Sequence, residues 1–481
     1  MPLNRDCFPR LTPYDSADSG SGSLDFLGTG ASAERLAEVI FPGFTARMWR
    51  PRLLTYSALA SHVAARAAAE SPEWRQDAFL ESRLAFERIF VSAVIRGARK
   101  EGEGNNAAVN LPGSIMARNA LDSCDARLGR NNFLKNQADN GSFGVMSKMA
   151  RSLGITDAKG LLLEQGYRLL DSWKKGEGEE ARDFNLDPPA SGSKRSKPLD
   201  RLTKATSQLL QKNWPKPSWP GWQWLFDHFR LDCISRHEQR FIGDAFRRGD
   251  PVQSRAMDLM ASPEAGEILE AGADMQPSQF DRMVCDRILA KGNGEETRRE
   301  DGILARAVDL IDAHEDISVL LEKAFVDLRQ YLAENDGQAS HGKLKAFADS
   351  GADFSSISSR LGAPARKLRR LADGLEEFRA IRNRNDPAPL GELSDVAKQA
   401  SLSPESLLIS LETRHRKVQD AKGKAPAVHF TGDAWYLAPA YRDQSGLAGA
   451  SLTDLVKGYL HNFRARNVCR FLWELGRMRG K

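Results

Sequence analysis

Apolar residues recur at α-helical spacing along most of this chain, and that period limits the fold more than any other feature. Leu321, Phe325, Leu328 and Leu332 stand at i, i+4, i+7 and i+11, one stripe on one helical face. Phe79, Leu80, Leu84, Ile89, Phe90 and Val94 keep close to the same spacing. The Ala-rich stretch Ala64 to Ala69 favours helix intrinsically. Ser32 is placed to cap a helix through Leu36 and Ile40 that stops before Pro42-Gly43. No repeat of fixed period is present, which removes a solenoid. The expected fold class is mainly α: a multidomain helical protein with a C-terminal winged helix-turn-helix carrying a small β-hairpin.

The length, 481 residues, suggests about three domains. Residues 1–25 read as a disordered tail, because Ser, Gly, Asp and Pro dominate. A helical domain is expected over 26–173. From Lys174 to Lys197 the chain is charged and rich in Gly, Pro and Ser. A run with Trp214, Trp219, Trp222 and Trp224 interleaved with Pro follows. Together, 174–224 read as a linker and Trp/Pro-rich connector, with the tryptophans packing on a neighbouring domain. A middle helical domain (225–340), a basic helical hairpin (341–385), the winged helix (386–440) and a basic C-terminal helix (441–481) complete the series.

Hydrophobic residues make up 41% and charged residues 28%, with a mean hydropathy of −0.47. No stretch approaches the ~18 consecutive apolar residues of a membrane span, so no membrane partner is expected. Five cysteines, Cys7, Cys124, Cys233, Cys285 and Cys469, lie far apart and are odd in number. A disulfide framework is not expected, and a reducing cytoplasm is the expected location. The net charge of +5 is mild, so its distribution matters more than its size.

That distribution is uneven. Leu393 to Leu411 resembles a helix-turn-helix. Val396 and Ala397 are expected to face the second helix and Leu402 to plug the turn. Ser403 is expected to cap the second helix, with Pro404 at its first position and Leu407 and Leu411 returning to the core. Ser401 stands where such turns usually carry Gly. Arg414, Arg416 and Lys417 follow, then the basic turn Lys422 to Pro426. Val428 to Phe430 and Ala434 to Leu437 flank Gly432-Asp433 as two short strands, expected to form an isolated wing. In such a module a helix reads the major groove while wing lysines reach phosphates. A second candidate, Ile357 to Leu371, places its turn at Gly362 and loads its second helix with Arg366, Lys367, Arg369 and Arg370. A C-terminal helix, Leu452 to Arg479, adds Lys457, Arg464 and Arg470. The expected nucleic-acid-binding residues are therefore Arg366, Lys367, Arg369, Arg370, Arg414, Arg416, Lys417, Lys422, Lys424, Lys457, Arg464 and Arg470.

Catalytic patterns are weak. Gly28-Thr-Gly30-Ala-Ser-Ala33 has neither the preceding strand nor the following acid of a dinucleotide loop, and reads as a helix start. His341-Gly-Lys343 begins like the His-x-Lys motif of phospholipase D-type nucleases. Asp349 is one residue out of register and a second copy is absent. His237-Glu238 and His314-Glu-Asp316 lack partners at metal-ligand spacing. No catalytic residue, metal ligand or cofactor is expected.

The N-terminal third carries one resemblance. Leu27-Gly28, Leu36 to Gly43 ending in Phe41-Pro42-Gly43, and Arg50-Pro-Arg52-Leu-Leu-Thr-Tyr56 resemble an uncharacterised bacterial family. The likeness continues more faintly at Leu84 to Arg96, at Leu111 to Ile115 and at Leu231 to Phe241. The family's aromatic residues after the Ile115 segment are replaced by Met116, Ala117 and Arg118. Members are often encoded beside helicases and phospholipase D-like nucleases in anti-phage defence clusters. The resemblance implies an accessory part of such a system, with a helicase or nuclease as partner; the winged helix and its cations add double-stranded DNA, largely non-specific, and the expected role is a non-catalytic nucleic-acid- and partner-binding component. A divergent metal-dependent nuclease and a winged-helix transcriptional regulator are the alternatives.

Overall fold

The computed structural model describes residues 25–45, 47–70, 76–102, 106–123, 127–129, 132–177, 181, 184, 197–272, 274–290, 299–374, 390–441 and 458–476. They are mainly helical, as the apolar period requires. No described helix is long and apolar enough to cross a membrane. The chain forms two compact units. One joins the stretch ending at Arg35 to Asp309–His461, and the other comprises Leu36–Val308 and the chain from Asn462 on. Neither unit is contiguous in sequence.

The larger unit is built around the Arg52–Ala69 helix. Every residue from Arg52 to Ala64 is buried. A helix covered on all sides has to be lined by apolar and small residues, and Leu, Ala and Ser supply them here. Ser57 Oγ donates to the Leu53 carbonyl at 2.8 Å, so burial leaves it satisfied. Tyr56 stacks on Phe90 at 3.9 Å and on Phe86 at 5.9 Å, both on the Gln76–Glu101 helix. That helix meets Gly221–Phe229 at Gly97, where the Phe226 ring fills the space a Cβ would take. Any larger residue at 97 would force the two helices apart.

Caps set several boundaries. Ser235 and Glu238 form a reciprocal capping box on Arg236–Arg248. Asp250 with Pro251 and Ser262 with Pro263 start the next two helices in the expected cap-then-proline order.

The 174–224 stretch is described in part. It contains the end of the Glu164–Glu177 helix and the Lys197–Leu210 helix, which buries Leu199, Leu202 and Ala205. Its tryptophans pack together: Trp219 lies edge-on to Trp222 at 4.9 Å, and Trp222 Nε1 donates to the Lys216 carbonyl at 2.9 Å. At the C-terminus the described helix is Ala465–Glu474, shorter than the Leu452 to Arg479 expected. It starts at Arg464 in a left-handed conformation with φ of 72°. Lys457 and residues 1–24 of the expected tail lie outside the described residues.

The smaller unit takes the Arg299–Glu334 helix from Asp309 on. There follow β1 (Gln338–Ser340) and the helices His341–Ser350, Ala352–Gly374, Leu390–Ala400 and Pro404–Ala421. β2 (Val428–Phe430) and β3 (Ala434–Leu437) come next. The strands form one antiparallel sheet in the order β1-β3-β2. β2 meets β3 as expected, with Val428 opposite Leu437 and Phe430 opposite Trp435. The hairpin is not isolated, because Ala339 of β1 pairs with Trp435 on the other edge of β3. Trp435 is the buried centre of this sheet, stacked on Phe430 at 4.6 Å.

Ser403 caps the Pro404–Ala421 helix, accepting from Ser406 N at 3.0 Å, and Leu407 and Leu411 are buried, all as the sequence required. Leu402 does not plug the turn: it is 67% exposed. Gly362 is not a turn either. Ala352–Gly374 runs through it as one helix with Pro364 inside. The proline gives up one backbone hydrogen bond without ending the helix.

Candidate nucleic-acid interface

The continuous Ala352–Gly374 helix arranges its side chains differently from the hairpin expected there. Ser359, Ala363, Arg366 and Arg370, at i, i+4, i+7 and i+11, form one exposed face. Arg360 is exposed beside it. A Cβ built on Gly362 would lie 3.5 Å from both Arg366 Nη1 and Ser401 Oγ, so Arg366 and the Ser401 turn border the same point. Ser358 Oγ donates to the Ala400 carbonyl at 2.9 Å and Ser394 Oγ to the Ala365 carbonyl at 2.8 Å. These two bonds fix the Leu390–Ala400 helix on this one. Lys398, exposed, precedes the turn, and exposed Leu402 follows Ser401. Among the described residues, Arg360, Arg366, Arg370 and Lys398 make no salt bridge.

The other predicted cations divide in three. Several are exposed or half-buried but paired. Lys367 reaches Asp309 at 3.3 Å, Arg369 reaches Asp395 at 3.0 Å, Lys417 reaches Glu392 at 2.8 Å and Arg416 reaches Glu412 at 3.8 Å. Such surface pairs add little stability and part easily. Two belong to the stretch before the hairpin. Lys422 Nζ donates to the Asp25 carbonyl at 2.5 Å, while Lys424 is exposed. The hairpin tip itself, Gly432-Asp433, carries no cation.

The third group corrects the sequence reading. Arg414 is buried, its Nε donating to the Leu27 carbonyl at 2.6 Å. Arg464 is 1% exposed, donating to Glu38 at 3.2 Å and to the Phe44 carbonyl. Arg470 is half-buried over the Trp49 ring at 5.0 Å. A basic residue in a charge run counts toward a surface only where its helix face is open, and these faces are not. Arg414→Ala is therefore expected to destabilise the smaller unit by about 2–3 kcal/mol in urea unfolding, whereas Lys417→Ala should cost under about 0.5.

Arg414 belongs to a buried anchor that no local sequence pattern marks. His415 Nδ1 donates to the Phe26 carbonyl at 3.0 Å, and its Nε2 accepts from Ala427 N at 2.8 Å. The neutral ring is the one that fits, since a second ring proton would face an N–H. Burial pushes His415 down to about 4, against the opposing pull of the Phe26 carbonyl. In the unfolded chain it titrates near 6.5, so the unfolded state takes up the proton first. Stability is fully present above pH 6.5 and is lost as pH falls toward 4, by about 3 kcal/mol in all. Unfolding free energies measured across this window should show that fall in the wild type and a flatter curve in His415→Gln.

Two histidines singled out in the sequence have structural partners. His341 Nδ1 accepts from Trp435 Nε1 at 3.1 Å, and its Nε2 meets Glu405 at 3.1 Å. His314 and Glu315 gather His461, 146 residues on, which sequence spacing does not reveal. The three ligand atoms lie within 4.8 Å of one another, a set that suits a metal by residue type. The carboxylate is already occupied, however. Oε1 takes His461 Nδ1 at 2.6 Å and His314 Nδ1 at 3.3 Å, and Oε2 takes Leu460 N at 2.5 Å and His461 N at 3.2 Å. A carboxylate offers about four lone-pair positions, so a metal would have to displace a donor.

The chain matches no family model, no curated protein and no solved structure.

Proposed function

We propose that the smaller unit is a winged-helix-type module that engages duplex nucleic acid through phosphates, with little sequence preference. The observation that carries this is the open cationic face of Arg360, Arg366, Arg370 and Lys398, flanked by small residues that let a backbone approach. The order of elements supports the winged reading. A strand precedes the helices, a hairpin follows them, and the first strand pairs with the last in a β1-β3-β2 sheet. The Leu390–Ala400 and Pro404–Ala421 pair is an addition between the cationic helix and the hairpin. On this reading the Ala352–Gly374 helix, not Pro404–Ala421, faces the nucleic acid, because the latter is buried at Leu407, Leu408, Leu411, Arg414, His415 and Val418. The protein then serves as the nucleic-acid- and partner-binding component of an anti-phage system in which a helicase or nuclease supplies the catalysis, as the N-terminal resemblance implies.

The test is fluorescence anisotropy of a labelled duplex over a salt series. Each phosphate contact contributes about −0.9 to the log–log salt slope. Changing Arg360, Arg366, Arg370 and Lys398 together to Ala should make the slope shallower by about 2–3 and weaken binding to all duplexes alike. Folding should be untouched, since exposed unpaired charges contribute little. Equal slopes in the two proteins, or no binding by the wild type at low salt, would overturn the reading and leave the module as a protein-docking one.

A further inference from the structure

The Lys197–Leu210 helix of the larger unit exposes four residues: Lys197, Arg201, Lys204 and Gln208. They stand at i, i+4, i+7 and i+11, one stripe along one helical face. Leu199, Leu202, Thr203, Ala205 and Thr206 are buried on the other side, so packing fixes which face stays open. The stripe is about 16 Å long at about 1.5 Å per residue. That leaves room for about five successive phosphates at about 3.4 Å each along a strand.

The charge on this face is unopposed. Among the described residues, Lys197, Arg201 and Lys204 make no salt bridge. The acids beside the helix are engaged on its flank. Asp200 pairs with Arg66 at 2.6 Å, and Glu70 accepts from Ser207 Oγ at 3.1 Å. The cations continue past the helix end. Lys212 is exposed at φ of 63°, where glycine is the usual residue, and exposed Lys216 follows. From Lys197 to Gln223 five cations are exposed, and no exposed residue is acidic. In a chain with 69 basic and 64 acidic residues, composition does not favour so one-sided a run. Charge complementarity calls for a polyanion.

An aromatic ring ends the stripe. Trp219 is half-buried, and its N donates to the Lys216 carbonyl at 2.9 Å. The ring covers Gly221, where a Cβ would overlap it, and meets buried Trp222 edge-on at 4.9 Å. Trp219 is thus held by its neighbours while part of it stays in solvent. A ring fixed in this way can take the face of a base with little ordering of its own. Paired bases inside a duplex offer no such face, whereas an unpaired strand does.

We propose that the face from Lys197 to Trp219 binds single-stranded nucleic acid, the five cations tracking its phosphates and one base stacking on Trp219. This goes beyond the duplex contact proposed for the smaller unit and does not depend on it.

The experiment is fluorescence anisotropy of labelled oligothymidylate, about 20 nucleotides long, with the full chain carrying Arg360→Ala, Arg366→Ala, Arg370→Ala and Lys398→Ala. Those four changes remove the smaller unit's cationic face. This parent chain should still bind the strand at about 50 mM salt with a Kd below about 10 µM, and a duplex of equal length at least about tenfold more weakly. Adding Lys197→Ala, Arg201→Ala and Lys204→Ala should weaken strand binding at least about tenfold. The log–log salt slope should become shallower by about 2, since each phosphate on a single strand contributes about −0.7. Trp219→Leu should instead weaken binding at least about fivefold and leave the slope unchanged. The three cations are exposed, so their variant reads the proposal even where Trp219→Leu disturbs packing. No strand binding by the parent, unchanged affinity in either variant, or equal binding of the duplex would overturn the proposal. Displacement of the strand by polyglutamate at equal charge would also overturn it and assign the face to an acidic protein. The duplex reading fails separately, if the wild type shows no duplex binding that the four smaller-unit changes remove.

Discussion

Arg52→Met is expected to destabilise the larger unit by about 3–5 kcal/mol, a large share of the margin by which any domain stays folded. Arg52 is fully buried at the start of the central helix. One Nη pairs with Glu238, whose side chain is also fully buried. The other reaches Glu177 at 2.7 Å and the His228 carbonyl. Glu238 also takes Thr55 Oγ1 at 2.6 Å and Ser235 N at 3.0 Å, and Glu177 takes His228 Nδ1 at 2.8 Å. Removing the guanidinium leaves two carboxylates near one another in an interior with one cation lost. The cost is that of uncompensated buried charge, not of the pair itself. The double variant Arg52→Met/Glu238→Gln should therefore be less damaged than the sum of the two single variants. Urea unfolding followed by tryptophan fluorescence reads this, since Trp173 Nε1 donates to the same His228 carbonyl at 3.1 Å. A change below about 0.5 kcal/mol in Arg52→Met would mean that the network contributes nothing.

The same network shows where the sequence stops being informative. Arg52 and Glu238 are 186 residues apart, and neither has a neighbour that announces its partner. What can be read is local: the period of Leu321 to Leu332, the Ser403-Pro404 helix start and the β2–β3 hairpin follow from interactions within a few residues. What fails is anything decided by tertiary cover. A turn motif places Leu402 inside, yet the turn stays open. A charge run places Arg414 and Arg464 outside, yet the Leu27 and Phe44 carbonyls claim them. A turn at Gly362 would separate Arg360 from Arg366 and Arg370, whereas the continuous helix brings them to adjoining faces. Continuing the helical count through Pro364 would have placed Ser359, Ala363, Arg366 and Arg370 on one face.

Glu315→Leu is expected to cost the smaller unit about 3–5 kcal/mol, because one carboxylate there satisfies four donors. His461 and Leu460 are held to the Arg299–Glu334 helix through it, closing a 146-residue separation. Glu315→Gln should be milder, since the amide keeps one acceptor oxygen for some of these donors. The pair also carries a pH signature. Burial works to raise Glu315, but the hydrogen bonds from His314 and His461 outweigh it and hold the carboxyl down at about 2. Its contribution is present above pH 4.5 and lost as pH falls toward 2. Burial works to lower His461, but the Glu315 hydrogen bond and charge raise it above 6.5. That contribution is present below pH 6.5 and lost as pH rises through the folded value. The coupling between Glu315 and His461 should therefore be largest between about pH 4.5 and 6.5 and smaller on either side. A double-mutant cycle of Glu315→Gln and His461→Ala, run at pH 3, 5.5 and 9 by urea unfolding, measures it. A coupling that stays flat across the three pH values would show that the two side chains meet as neutral groups. A midpoint raised by zinc in the wild type but not in Glu315→Gln would show instead that a metal takes this cluster.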